Sequence, residues 1–288
     1  MSSLDALAAP SAPLPPDVRA AFDEHLARGT AGTSFERALS AGAASRSIGV
    51  AFALGYEAAL HRLVPSIAPA ELASLCVTEA AGGHPRDVRC AFDGARVTGE
   101  KRWATLAPIA DALLVLAVRG ERDGRKDFAL VRVPRDAPGV SITPLPATPF
   151  APEVPHAVVA LAGAPGVALP GDGFDDYARP FRTVEDAHVV GAVGAHLVVR
   201  ARALGATPAL WSPVLAALAA LSAAAALDPR DPLGHLVIEG ALPQIEGAMK
   251  ALAAGPAPEL SPELPLLTIA ARAREQRTLG AAARWGRA

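Results

Sequence analysis

Apolar residues recur at helical spacing through the first part of the chain, the mark of helices that bury one face. "PDVRAAFDEHLARG" sets acidic and basic residues around an apolar stripe and closes on Gly29, a helix stop. "SFERALSAGAASRSIGVAFALGYEAALHRLVP" continues the period; Gly42, Gly49 and Gly55 permit close helix packing, and Pro65 ends it. A short helix, "PAELASL", is predicted to lead into "LCVTEAAGGHP", residues 75–85. After Pro85 the pattern changes. "DVRCAFDGARVTGEKRWAT" reads as a hairpin turning at Asp93-Gly94, "ADALLVLAVRG" as a buried strand and "RDGRK" as a charged turn. "DFALVRVPRD" alternates, "PGVSITPLP" is edge-like and "PHAVVALAG" is a further strand. Six short strands with no helix between them predict an antiparallel barrel or sandwich.

From Gly173 onward the helical pattern returns. "YARPFRTVEDAHVVGAVGAHLVVRARALG" and "SPVLAALAALSAAAAL" are apolar on most faces and are expected inside a bundle. "DPLGHLVIEGALPQIEGAMKALAAG" follows with a break expected near Pro243, and "SPELPLLTIAARAREQRTLGAAARWGRA" reads as an amphipathic helix whose arginines form a solvated face. The fold class is therefore α+β, in the order helices, β-domain, helices, with no internal repeat. A Pro/Ala-rich disordered tail is expected over 1–15, a helical domain over 16–74, a β-domain over 75–172 and a helical bundle over 173–288. Residues 209–227 carry no charge over a length close to a membrane span. Their alanine content, Pro213 and the lack of aromatic belts favour a buried bundle helix over a membrane span.

Composition narrows the function. The chain has 288 residues and a formal net charge of −2, so it lacks the basic face of a nucleic-acid binder. Cys76 and Cys90 have neither zinc-ligand nor redox-pair spacing, and no metal site is expected. No charged segment followed by an apolar core opens the chain, and the expected compartment is the cytoplasm. No G-x-G-x-x-G follows a strand, which argues against a Rossmann dinucleotide site. His188, His196 and His235 lie on apolar helices and are expected as satisfied core or interface histidines.

The order of elements, with four stretches at its joints, resembles the acyl-CoA dehydrogenase family. "CVTEAAGG" at 76–83 is similar to that family's T-E-P-x-A-G-S-D flavin loop, and "TGEKRWATLAPIADALLVLA" at 98–117 to its N-G-x-K-x-W-I-T-N-A strand pair. "DFALVRVPRDAPGVSI" at 127–142 resembles the family's strand and V-P-x-D-x-P-G-V turn, and "LPGDGF" at 169–174 its exit from the barrel. The resemblance implies an N-terminal helical domain, a middle antiparallel β-barrel and a C-terminal helical bundle that hold FAD and oxidise the CH–CH bond of an acyl thioester such as acyl-CoA. It implies that Leu75, Cys76, Val77, Thr78, Gly83, Trp103, Ala104 and Thr105 line the cofactor. Thr78 would meet the pyrimidine edge, Trp103 the ring face and Thr105 the reactive N5, tuning the flavin. "RDPLG" at 230–234 resembles R-x-x-F-G, whose arginine, Arg230 here, meets the pyrophosphate held by a neighbouring subunit. A homo-dimer, tetramer or hetero-oligomer with a paralogue is expected.

The sequence also departs from the family. His84-Pro85 replaces the Ser-Asp after the glycines, so His84 takes the place of a serine that holds the thioester or a cofactor phosphate. The chain is shorter than ordinary members at both ends. The family's glutamate base in an E-G-T-like loop has no counterpart, and Ala187 to Leu227 contains no Asp or Glu; Glu239 and Glu246 are the nearest candidates. Three readings stand open: an active flavoprotein, a base-less subunit that pairs with a catalytic paralogue, and a flavin-free acyl-thioester-binding or structural protein.

Overall fold

The computed structural model describes residues 4, 7–8, 12–29, 32–268 and 271–286. Its contacts divide the chain into two compact units: a helical unit of residues 1–62, 148–153 and 183–288, and a β unit of residues 63–147 and 154–182. The helices expected at the two ends of the chain thus share one unit.

In the helical unit, α1 (Val18–Ala27) is capped by Asp17, whose carboxylate accepts the Ala20 N–H. α2 (Ser34–Ala44) starts with a reciprocal capping box between Thr33 and Glu36. The continuous helical run expected beyond it is two helices. Ser45 turns extended, and Ser47 Oγ accepts the Val50 N–H at the start of α3 (Ile48–Leu63). A serine side chain that caps the next helix competes with continuing the last one. Much of the expected disordered tail (residues 1–3, 5–6 and 9–11) lies outside the described residues. Leu14, however, is fully buried and donates its backbone N–H to Ala44 O, so the ordered chain begins before residue 16.

α4 (Arg179–Ala203) follows a π-helical turn at Gly173–Ala178. A Cβ on Gly42 would lie 2.0 Å from Ala192 O, and one on Gly55 2.9 Å from Val189 Cα, so α2 and α3 meet α4 at backbone distance. α5 (Pro208–Ala226) packs on α6 (Pro232–Ala253), and its Leu218 and Leu221 are buried. By length and composition α5 is apolar enough to cross a membrane, and within this chain its Ala216, Ala219 and Ala223 are exposed rather than enclosed. The break expected at Pro243 does not occur. Ile238, Leu242, Ile245 and Met249 are buried along one face of α6, each contributing about 1.5–3 kcal/mol, which outweighs the roughly 3 kcal/mol a mid-helix proline costs. α7 (Pro265–Thr268) and α8 (Ala271–Trp285) follow. The arginines of α8 are not simply solvated: Arg274 is buried, and Arg277 Nη2 donates to Asp186 Oδ2 at 2.6 Å. His188, His196 and His235 are satisfied, bonded to Ser34 Oγ and Val184 O, to Ser45 O, and to Thr183 Oγ1 respectively.

The β unit holds β1 (Ala73–Cys76), β2 (Ala91–Phe92), β3 (Arg96–Thr105), β4 (Ala112–Arg122), β5 (Arg125–Pro134), β6 (Val140–Pro144), β7 (His156–Pro165) and β8 (Val167–Ala168). They form one eight-stranded sheet in the order β6-β7-β3-β2-β4-β5-β8, with β1 on β4. It is largely antiparallel as expected, but β1 and β2 each pair with β4 in parallel. The helix expected over "PAELASL" is a turn followed by β1. All four β1 residues are buried, and Asp111 Oδ2 fixes the entry by accepting the Leu72 N–H at 2.9 Å. A short run buried at every position suits a strand covered on both faces as well as a helix, and pairing with β4 decides between them. The expected Asp93-Gly94 hairpin forms, and the expected charged turn closes a second one between β4 and β5. Asp93 Oδ1 accepts the N–H groups of Ala95 and Arg96, and Asp123 and Gly124 both take positive φ, as a two-residue type I′ turn requires. The sheet curls around a core that includes Phe92, Val97, Leu113, Val115, Val131 and Val159.

Candidate functional site

The stretch 75–85 begins as β1 and leaves the sheet at Val77. Its side chains divide by burial. Leu75 and Cys76, two predicted ligand contacts, have their side chains in the core; Val77 and Thr78 are half-buried and Gly83 is exposed. Glu79 and Gly82 exchange both backbone hydrogen bonds at 3.0 Å, closing a tight turn that Gly82 completes at φ +125°.

What holds this loop is a buried ion pair. Lys101 of β3 is fully buried, and its Nζ donates to Glu79 Oε1 at 2.7 Å and to Val77 O at 3.2 Å. Glu79 also accepts the N–H groups of Cys90 (3.0 Å) and Arg89 (2.8 Å), while Arg102 N–H binds Thr78 O at 2.7 Å. Burial pushes the Glu79 carboxyl upward; the Lys101 ammonium and the two backbone donors more than offset it, so the group lies below the ordinary carboxylate range. Thr78 is thereby carried on a rigid frame. Its hydroxyl has no hydrogen-bond partner among the described residues, and a Cβ on Gly83 would lie in van der Waals contact with it at 3.4 Å.

Trp103 is the most unusual residue of the β unit. Between Lys101 and Ala104, β3 advances three residues while β7 advances two, from Val159 to Ala157, so one extra residue bulges. Arg102 and Trp103 consequently both point outward, whereas Ala104, another predicted contact, turns into the core. Trp103 has φ +54° and its side chain is exposed, at 57% of its full accessibility. A bulky residue in the left-handed region stores about 1–3 kcal/mol of strain and marks functional sites. Thr105, two residues on, is half-buried, with its hydroxyl unbonded among the described residues. Its cross-strand partner on β7 is His156, whose ring meets the Trp103 indole edge to face, centroids 5.9 Å apart at 71°. Burial holds His156 below the usual histidine range, opposed by a hydrogen bond to the Val154 backbone.

The structure brings Thr78, Gly83, Trp103 and Thr105 together in one unit. The other predicted residues stand apart in role or place. His84 is exposed and caps the short turn Pro85–Asp87 through its own Nδ1, which accepts the Arg86 N–H at 3.3 Å. Lys126 Nζ pins that turn by donating to Arg86 O and Val88 O. Arg230, Glu239 and Glu246 belong to the helical unit: Arg230 is exposed in the turn before α6, Glu239 is half-buried on α6, and Glu246 lies 3.8 Å from Lys250 one turn along the same helix. The sequence reading missed the Glu79–Lys101 pair and His156. The first had a partial signal, a lone charge inside the small-residue motif "CVTEAAGG", whereas Lys101 stands between Glu100 and Arg102 and is not marked out; His156 had none, since only strand register sets it beside Thr105. Among the described residues no group of His, Cys, Asp and Glu could hold a metal ion.

The fold combines a helical unit with a curled, mainly antiparallel sheet whose bulge presents a tryptophan. Residues 74–159 match the acyl-CoA dehydrogenase middle domain. FkbI, a protein for biosynthesis of the methoxymalonyl extender unit of the polyketide immunosuppressant Fk520, is 19% identical over 99% of this chain and 98% of its own, with a TM-score of 0.67. An FAD-dependent dehydrogenase is 14% identical over 91% of this chain and 90% of its own, at 0.66. An acyl-CoA dehydrogenase-like protein of Mycobacterium smegmatis is 16% identical over 93% and 89%, also at 0.66. No curated protein sequence matches the chain. The family model covers less than a third of the chain, and the structural neighbours show that the chain as a whole has the acyl-CoA dehydrogenase fold.

Proposed function

We propose that this chain is an FAD-dependent oxidoreductase of the acyl-CoA dehydrogenase type that acts on the CH–CH bond of an acyl thioester, and that Trp103, Thr105 and Thr78 hold its flavin. The observation that carries the reading is Trp103: a large indole kept outward, in strained backbone geometry, two residues before Thr105, whose hydroxyl, like that of Thr78, has no hydrogen-bond partner among the described residues. An isoalloxazine ring needs a flat apolar wall and a few donors at its edges, and these residues are that set. Bound FAD supplies a two-electron acceptor for the substrate's hydride. The protein's part is to stack the ring on the indole, to donate from Thr78 and Thr105, and to let the backbone approach at Gly83. In an assembly of two or more copies, Arg230 supplies the guanidinium for a pyrophosphate held by the neighbouring copy. The FAD-dependent dehydrogenase among the structural neighbours supports the cofactor.

A second reading, a subunit without its own base that pairs with a catalytic paralogue, is favoured by Glu246, whose carboxylate is drawn to Lys250 as a helix-surface ion pair. Reconstitution with FAD tests the first reading. The protein is expected to turn yellow, and Trp103→Ala to weaken FAD binding about tenfold. A protein that stays colourless after refolding with excess FAD overturns it. Acyl-CoA oxidation that begins only when a full-length paralogue is added selects the second reading.

A further inference from the structure

An exposed indole carried on a bulge is free to rotate unless something packs beside it, and His156 is what packs there. Its ring meets the indole edge to face at 5.9 Å. As the cross-strand partner of Thr105, it projects from the same face of the sheet as that threonine. Its backbone is fixed in turn: the His156 carbonyl accepts the Leu145 N–H at 2.8 Å, tying β7 to the chain leaving β6. Of the flanking strands, β6 carries no ionisable side chain; on β3, Arg96 donates to Gly163 O, Lys101 is bound to Glu79 and Arg102 to Glu100.

We propose that His156 is the positioning residue of the flavin site: it clamps the Trp103 indole so that the ring face and the Thr105 hydroxyl present one preassembled surface. This rests on the flavin reading above. Burial holds the imidazole below the ordinary histidine range, so it is neutral near pH 7 and acidification places a positive charge beside the indole. His156 does not contact the substrate in this role.

The test separates the clamp from the flavin. In a Trp211→Phe/Trp285→Phe background, Trp103 is the one remaining tryptophan of the three in the chain. Its emission is expected to fall on acidification, with a midpoint below about 6.5, because an imidazolium quenches an adjacent indole. His156→Phe should abolish that transition while keeping an edge-to-face partner. FAD affinity should fall about two- to tenfold in His156→Ala and be restored in His156→Phe, the range expected for one aromatic pair. Emission that ignores both pH and His156→Ala overturns the clamp. An intact fluorescence transition with unchanged FAD affinity in His156→Ala overturns its role in the site. A wild-type protein that binds no FAD defeats the flavin reading and the role built on it, and a surviving transition then shows that the His156–Trp103 contact was not the step that failed. Thermal unfolding of each variant confirms that the β unit is folded.

Discussion

Lys101→Met should be among the most damaging single substitutions in the β unit, although Lys101 touches no proposed ligand. Its side chain is fully buried, and that of Glu79 is 9% exposed. At 2.7 Å the two charges attract by about 6 kcal/mol at an effective dielectric of roughly 20, which the desolvation of both ions largely cancels. The pair as a whole is therefore close to neutral in net stability, and the vulnerable state is the half-pair. Lys101→Met leaves a buried carboxylate with only the Cys90 and Arg89 N–H groups, and the expected loss is about 3–5 kcal/mol. Glu79→Gln added to Lys101→Met removes that stranded charge, so the double variant should be at least as stable as Lys101→Met, not worse by the cost of Glu79→Gln alone. Urea unfolding followed by Trp103, the one tryptophan of the β unit, in a Trp211→Phe/Trp285→Phe background measures each corner of the cycle. Because Lys101 Nζ also holds Val77 O, Lys101→Met should open the loop 77–83 to proteolysis before the sheet unfolds. A loss below about 1 kcal/mol for Lys101→Met, or strict additivity in the double variant, would refute the buried-pair argument.

Three further outcomes are expected. His188 and His196 are held down to about 4, chiefly by burial against which their backbone hydrogen bonds work. Their folded pKa lies below the unfolded one, so the unfolded chain takes up protons first as pH falls. Stability should be complete above about pH 6.5 and decline toward pH 4 by about 3 kcal/mol per histidine, read from urea midpoints of the Trp211 and Trp285 signal; a flat profile counts against the assignment. Gly42→Ala forces a methyl group 2.0 Å from Ala192 O and should lower stability by about 1–3 kcal/mol or more, whereas Gly247→Ala on α6, with nothing within 4 Å, should raise it by up to about 1 kcal/mol. Equal Tm shifts for the two glycines would contradict the backbone contact. Burial pushes the thiols of Cys76 and Cys90 up to about 11, so neither should react with an aromatic disulfide reagent at about pH 8 until the protein is denatured; rapid native labelling of either one refutes its placement in the core.

Much of the architecture was legible before any coordinates. The Asp93-Gly94 and Asp123-Gly124 turns need positive φ or a carboxylate acceptor within a few residues, and the chain supplies both locally. Helix caps such as Thr33 and Asp17 are equally local, as is the change from helical spacing to short strands after Pro85. The loop 76–83 and the tryptophan motif could be picked out because their residue types carry the family likeness. The errors share a cause. Ala73–Cys76 is as good a helix as a strand until β4 offers its edge, and Pro243 stays in α6 because one apolar face is buried. Arg274 reads as surface until it is found buried in α8. The same holds at the site. That Lys101 goes inward, that Trp103 is pushed outward by one extra residue, and that His156 stands beside Thr105 all depend on the pairing of β3 with β7, strands separated by about fifty residues. Spacing along one segment specifies which residues share a face. Which face then meets which partner is a matter of register and burial, and those exist only once distant segments have come together.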